Sequence, residues 1–173
     1  MSEGMDRPLE LENPFWRFSL AVYAMSGVQE ECLFLQNSSG VNVNLLLYCA
    51  WRGTEGDCLT DAALKRSIAA VQGWHDEIIT PLRAARTHLK RSGAMDAAGP
   101  EIRALRSKIL EAELLGEQVE QAFLYREAAS DFKPGESRGA ALDANLALYL
   151  GVHGRTLNDA PMLRSHAASL MRK

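Results

Sequence analysis

From Pro100 to Ser130 the chain runs without a second proline and with a single glycine, Gly116. Within that stretch Ile102, Leu105, Ile109, Ala112, Gly116, Val119 and Phe123 follow one another at steps of three and four. The spacing is a heptad seam and predicts one long helix packed closely along a partner, with Ala112 and Gly116 admitting the partner's backbone. Composition agrees. Ala and Leu supply 24 residues each, Val and Ile 12 together, and Ala and Leu favour helix while β-branched residues favour strand. With 173 residues, one domain is expected. The fold class read from the sequence is all-α: a single-domain helical bundle with a short-helix aromatic N-terminal cap and a long antiparallel helical hairpin.

Residues 1–12 show no period and read as a disordered tail. Asn13-Pro14 starts a helix to about Ala24, because Asn caps and Pro suits the first helical position. Ser26-Gly27-Val28-Gln29 has capping-box spacing and opens a second helix to about Ser38, with Gly40 as its left-handed terminator. A third helix is expected from Val41 to Arg52, stopping at Gly53. Thr60 caps a fourth, to about Gln72, and another covers Trp74 to Arg91. In the latter, Thr80-Pro81 demands a kink or a fresh start, since Pro81 has no N–H to donate. Ser92–Gly99 reads as a loop, Lys133–Glu136 as a break, and Gly139–Gly151 as a last helix closing the helical domain 13–151. Residues 152–173 read as a weakly structured tail with room for one short helix. Seven of the twelve aromatics precede residue 52, which suggests an aromatic cap on one end of the long helices.

Several chemistries are excluded. Cys32, Cys49 and Cys58 form no CxxC and no disulfide pattern. His75, His88, His153 and His166 never stand three or four apart, so no Glu-x-x-His di-iron site is encoded, and no metal or other cofactor is expected. Trp74-His75-Asp76-Glu77 looks chemical, but neighbouring helical side chains diverge, and the plainer reading is a core Trp beside a polar face. No phosphate loop is present. The acidic N-terminus lacks an apolar core of the signal-peptide kind, and the charge-free stretch from Cys32 to Trp51 carries Asn and Gln at its centre, so no membrane association is expected. The expected setting is cytoplasmic.

Charge gives the best lead. The net of −3 conceals a basic segment with Arg83, Arg86, Lys90, Arg91, Arg103, Arg106 and Lys108 against Asp96 and Glu101. In a level hairpin Arg83 would stand near Lys108 and Arg86 near Arg106, making one basic knob. Glu113, Glu117 and Glu120 match the spacing of the three cations, but pairing Glu113 with Lys90 needs a slide of twelve residues, about 18 Å. A full zipper is therefore not expected. Asn42 and Asn44 read as capping or core amides, or as partner contacts.

Pro14-Phe15-Trp16-Arg17-Phe18-Ser19-Leu20-Ala21-Val22-Tyr23, then Gly27-Val28, Cys32-Leu33, Leu35-Gln36, and Val43-Asn44-Leu45-Leu46-Leu47 with Trp51 resemble a family of short uncharacterised proteobacterial proteins. Trp74, Pro81-Leu82-Arg83, Arg86 and Lys90 continue the match, over roughly residues 13–125. The resemblance implies a small bacterial protein with a domain of unknown function, hallmark residues Trp16, Arg17, Asn44, Trp51, Trp74, Pro81, Arg83 and Arg86, and Asp where this chain has Asn42. It implies no activity.

With no catalytic constellation, the sequence points to a non-enzymatic interaction or adaptor protein with an unknown protein partner. The candidate binding residues are Trp16, Arg17, Asn44, Trp51, Trp74, Arg83, Arg86 and Lys90, since Trp and Arg are common interface anchors. One alternative is an acidic protein, RNA or the ribosome at the basic hairpin end 83–108. Another is a ligand-binding or enzymatic bundle with a pocket lined by Trp16, Asn44, Trp51, Trp74 and Arg83.

Overall fold

The computed structural model describes residues 8–91, 99–133 and 137–171. The described chain is helical throughout, with α1 at Pro14–Tyr23, α2 at Val28–Ser39, α3 at Val43–Thr54, α4 at Asp61–Trp74, α5 at Thr80–Arg91, α6 at Gly99–Asp131, α7 at Arg138–Val152 and α8 at Pro161–Leu170. A π-helical turn, His75–Ile79, joins α4 to α5, and a 3-10 turn, Leu157–Asp159, precedes α8. The expected break at 134–136 and the loop at 92–98 lie outside the described residues, as do residues 1–7 of the expected tail. Residues 11 and 12 are anchored, with Gln118 Nε2 donating to Leu11 O and to Glu12.

Local chemistry explains most boundaries. Asn13 Oδ1 accepts from Trp16 N–H at 2.8 Å, and Thr60 Oγ1 from Ala63 N–H at 3.1 Å, so both expected caps form. Gly40 ends α2 at φ 66°. The expected capping box at Ser26–Gln29 is absent. Gly27 is left-handed at φ 82°, and α2 starts with no side-chain cap, because the tight entry turn takes the geometry the box would need. Asn42 caps α3 in its place in the chain, through Oδ1 and the N–H groups of Asn44 and Leu45.

Helix α3 is the central element. Every residue from Asn44 to Thr54 is buried, and its principal partner is α7. It does not stop at Gly53. A Cβ there would lie 2.4 Å from Leu142 Cα, so this glycine marks the crossing of two helix backbones, not an end. Phe15, Tyr48 and Trp51 form the aromatic cluster, extended by Tyr125 of α6 and by Phe132 just beyond its end. The chain after residue 152 packs as well. Leu163 and Ala167 of α8 are buried, and Glu31 of α2 accepts from Met162 and Leu163 N–H, both at 2.9 Å, capping α8 from across the fold.

The α4–α5 connection is not a new start, because the helix runs on through the π turn. Pro81 cannot donate to Glu77, and the widened turn just before it absorbs the defect, with Thr80 N–H reaching back to His75 O. The chain continues as α5, which forms an antiparallel arm with the first half of α6. No α5 residue is buried.

The seam on α6 differs from expectation. Leu105 and Ala112 are exposed, while Arg106, Glu113, Glu117 and Glu120 join Ile102, Ile109 and Gly116 on the face toward α5 and the π turn. The heptad pattern found the right helix and partner but rotated its face, because carboxylates with arginine partners occupy core-facing positions that an apolar template skips.

Candidate functional site

A row of carboxylates on α6 organises the junction of arm and body. Glu113, Glu117 and Glu120 lie at steps of four and three, one above another on a helix face. Glu113 is 3% exposed and accepts from Arg83 Nε at 3.1 Å, from Arg86 Nη2 at 3.1 Å and from Arg86 Nε. Glu117 accepts from Arg83 Nη2 at 2.8 Å. The level hairpin is thus corrected. Arg83 faces Glu113, five positions past Lys108, a slide of about 7.5 Å. The slide replaces cation beside cation with cation beside carboxylate, which is the physical reason for it. The zipper forms in a shorter register than the one that would reach Lys90.

Burial raises Glu113, but hydrogen bonds from Arg86 and Arg83 outweigh it and hold the carboxyl below its ordinary value. Glu117 goes the other way. Burial dominates the pull of Arg83, with Glu113 and Glu120 adding repulsion, so its carboxyl is raised.

Glu120 is fully buried where four elements meet. Its Oε1 accepts from Asn42 Nδ2 at 2.8 Å and stands 3.1 Å from His75 Nδ1, while Oε2 accepts from Asn44 Nδ2. Asn42 Oδ1 is committed to capping α3, which fixes the amide and aims Nδ2 at Glu120 and at His75 Nδ1, 2.9 Å away. Asn44 Oδ1 accepts from Gln121 Nε2 at 2.8 Å, and Tyr149 of α7 accepts from Asn42 N–H at 3.0 Å. The π turn matters here, because it rotates His75 toward α6 while Trp74 donates its indole N–H to Gly116 O at 2.9 Å. Chemically the network is a latch. A buried carboxylate, sealed from solvent and met by two amides and an imidazole, ties α3, the π turn and α6 together.

The sequence-predicted residues are dispersed. Arg83 and Arg86 belong to the carboxylate row and Asn44 to the latch. Trp74, half-buried, packs edge-on against Phe123. Trp51 is enclosed in the aromatic cluster, Trp16 is half-buried on α1, and Arg17 and Lys90 are exposed. Asn44 and Trp51 are enclosed by packed side chains where a shared pocket was the alternative expectation. Arg83 lines a shallow groove along α5 with Thr80, Ala84, Thr87, His88 and Arg91. In the sequence Glu120 stood out only as part of the acidic stripe and His75 only within Trp74–Glu77, while Gln121 and Tyr149 carried no signal, since the meeting of these residues depends on elements far apart in the chain. Among the described residues no group of His, Cys, Asp and Glu could hold a metal ion, and no helix is long and apolar enough to cross a membrane.

Residues 14–124 match the model of a family described as Protein of unknown function (DUF2390). The chain belongs to this family. No curated protein and no solved structure matches it. The DUF2390 region contains α1–α5, the π turn, the whole carboxylate row and the Asn42–Asn44–His75–Glu120–Gln121 latch. It ends before Asp131, α7 and α8, so Tyr149 and a cleft of about 630 Å³ beside Asp143, Leu157 and Arg164 lie outside it.

The surface left by this arrangement is uneven. Leu105, Leu110, Leu114 and Leu115 of α6 are 48, 37, 50 and 53% exposed, and Ile78 of the π turn is 38% exposed. Helical steps of about 100° put Leu105, Lys108, Ala112 and Leu115 on one flank of α6, the side of the arm to which Ile78 of the π turn and Ala85 of α5 also belong.

Proposed function

We propose that this chain is a non-enzymatic protein-interaction module whose docking element is the α5–α6 arm. One observation carries the reading: the arm has no buried residue on α5, yet α6 exposes four leucines along it. Apolar side chains on several sides of a projecting helix mark a surface that another protein covers. The carboxylate row and the latch support the role by fixing the arm's register and direction, so that it meets a partner already ordered and loses little entropy on docking.

RNA binding at the arm's end is the weaker reading. Arg83 and Arg86 are held by Glu113 and Glu117, which leaves Lys90, Arg91, Arg103 and Lys108 as its exposed cations.

The test is tagged capture at low salt with cross-linking, comparing the wild type with Leu105→Glu/Leu115→Glu. The expected result is a partner recovered by the wild type and lost by the variant, with the same far-UV circular dichroism. Equal capture by both, or no partner with either, overturns the proposal.

A further inference from the structure

We infer that the partner of the arm is a second copy of this chain, docked antiparallel on the flank formed by Ile78, Ala85, Leu105, Ala112 and Leu115. The inference rests on the interaction reading above and commits it to one occupant.

Three observations lead to it. The flank is open and apolar but for Lys108: Ile78, Leu105 and Leu115 are each more than a third exposed, Ala85 and Ala112 are exposed beside them, and exposed Lys108 stands between Leu105 and Ala112. It joins two antiparallel helices, and two such hairpins laid face to face make a four-helix bundle, the simplest way to cover apolar faces of this shape. The arm is also electrically polar along its length. Its tip carries Lys90, Arg91, Arg103 and Lys108, all exposed, against Glu101 and, in the sequence between the two helices, Asp96. Its base carries Asp76 and Glu77, exposed on the π turn, and Glu12, held there by Gln118.

Antiparallel pairing sets each cationic tip beside the other copy's acidic base. Parallel pairing would set tip against tip within a Debye length. A two-fold axis requires a self-complementary patch, and an arm with opposite charges at its ends satisfies that requirement. The size is adequate for a dimer in equilibrium with monomer. The arm from His75 to Arg91 is about 25 Å long and two helices, roughly 20 Å, wide, a footprint on the order of 500 Å² per copy, near the lower edge of specific interfaces.

The experiment is sedimentation equilibrium of the full chain over a range of micromolar concentrations, with three variants. The wild type is expected to show a monomer–dimer equilibrium. Leu105→Glu/Leu115→Glu should weaken it at least about a hundredfold, because four half-exposed leucines per dimer are replaced by like charges. Leu20→Glu, at an exposed leucine on α1, should leave it unchanged and shows that added charge alone does not dissociate the dimer. Spin labels at Lys90→Cys in a Cys58→Ser background then report orientation. Tip-to-tip distances of about 25 Å or more fit antiparallel arms, whereas short distances contradict them. Dimerisation insensitive to the flank variant also overturns the inference. A chain that stays monomeric at every concentration but is captured by a different protein through the same flank overturns the self-association and leaves the interaction reading standing.

Discussion

Glu113 and Glu117 differ by one helical turn and share Arg83, yet they should respond to the same substitution in opposite ways. Glu113→Gln removes the charge that holds two guanidinium groups. Breaking a fully buried ion pair by removing one member costs about 3–5 kcal/mol. Arg83 and Arg86 keep 22% and 24% of their side-chain surface, so water recovers part of that cost, and Arg83 retains Glu117. A loss of about 2 kcal/mol follows, or roughly 4–8 °C in melting temperature for a chain of this size. Because the folded carboxyl of Glu113 lies below its ordinary value, its contribution is present above about pH 4.5 and is lost as pH falls through the folded value. Glu117→Gln instead keeps the neutral form that burial favours. The folded carboxyl of Glu117 is raised, so ionising it costs stability as pH rises from about 4.5 through the raised value. That variant should be neutral or slightly stabilising near pH 7 and should lack that decline. Urea unfolding of wild type and both variants from about pH 3 to 8 measures this. If Glu117→Gln costs as much as Glu113→Gln at neutral pH, burial does not govern Glu117, and the reasoning fails.

Other consequences concern the body of the fold. Gly53→Ala places a methyl 2.4 Å from Leu142 Cα, where only backbone movement can relieve it, so a loss of about 3 kcal/mol or more is expected by urea denaturation. Asn42→Asp keeps the cap on α3 but replaces the amide that donates to buried Glu120 with an acceptor, and should destabilise by about 2 kcal/mol in urea denaturation at pH 7. Burial pushes the Cys32 and Cys49 thiols up to about 12, so native protein should show one fast-reacting thiol, the exposed Cys58, and two more only on unfolding.

Much of the helical layout was legible because it is written in local chemistry. Asn13, Thr60 and Gly40 act within a few residues, and their readings hold. Pro81 announced a disturbance, but not that a π turn would absorb it and rotate His75 toward α6. The long helix was legible from its freedom from proline, while its inward face was not. Charged residues take positions on that face only when partners from another element satisfy them, and a single-segment pattern cannot see those partners. That Arg83 and Arg86 share a helix face was legible from their spacing. The register of that face was not, since the choice between a level hairpin and one slid by five residues depends on pairing Arg83 with Glu113. Gly53 shows the same limit. A glycine near a helix end reads as a terminator, and only the neighbouring backbone of α7 makes it a crossing point.

Docking of a partner on the Leu105–Leu115 flank, proposed above, can be tested in cells. A photo-cross-linking amino acid placed at Leu105 tests it most directly, with Leu20 as the matched exposed control. A discrete covalent adduct is expected from position 105 in cells that express the protein, and none from position 20. Adducts from both positions alike, or from position 20 alone, would contradict it.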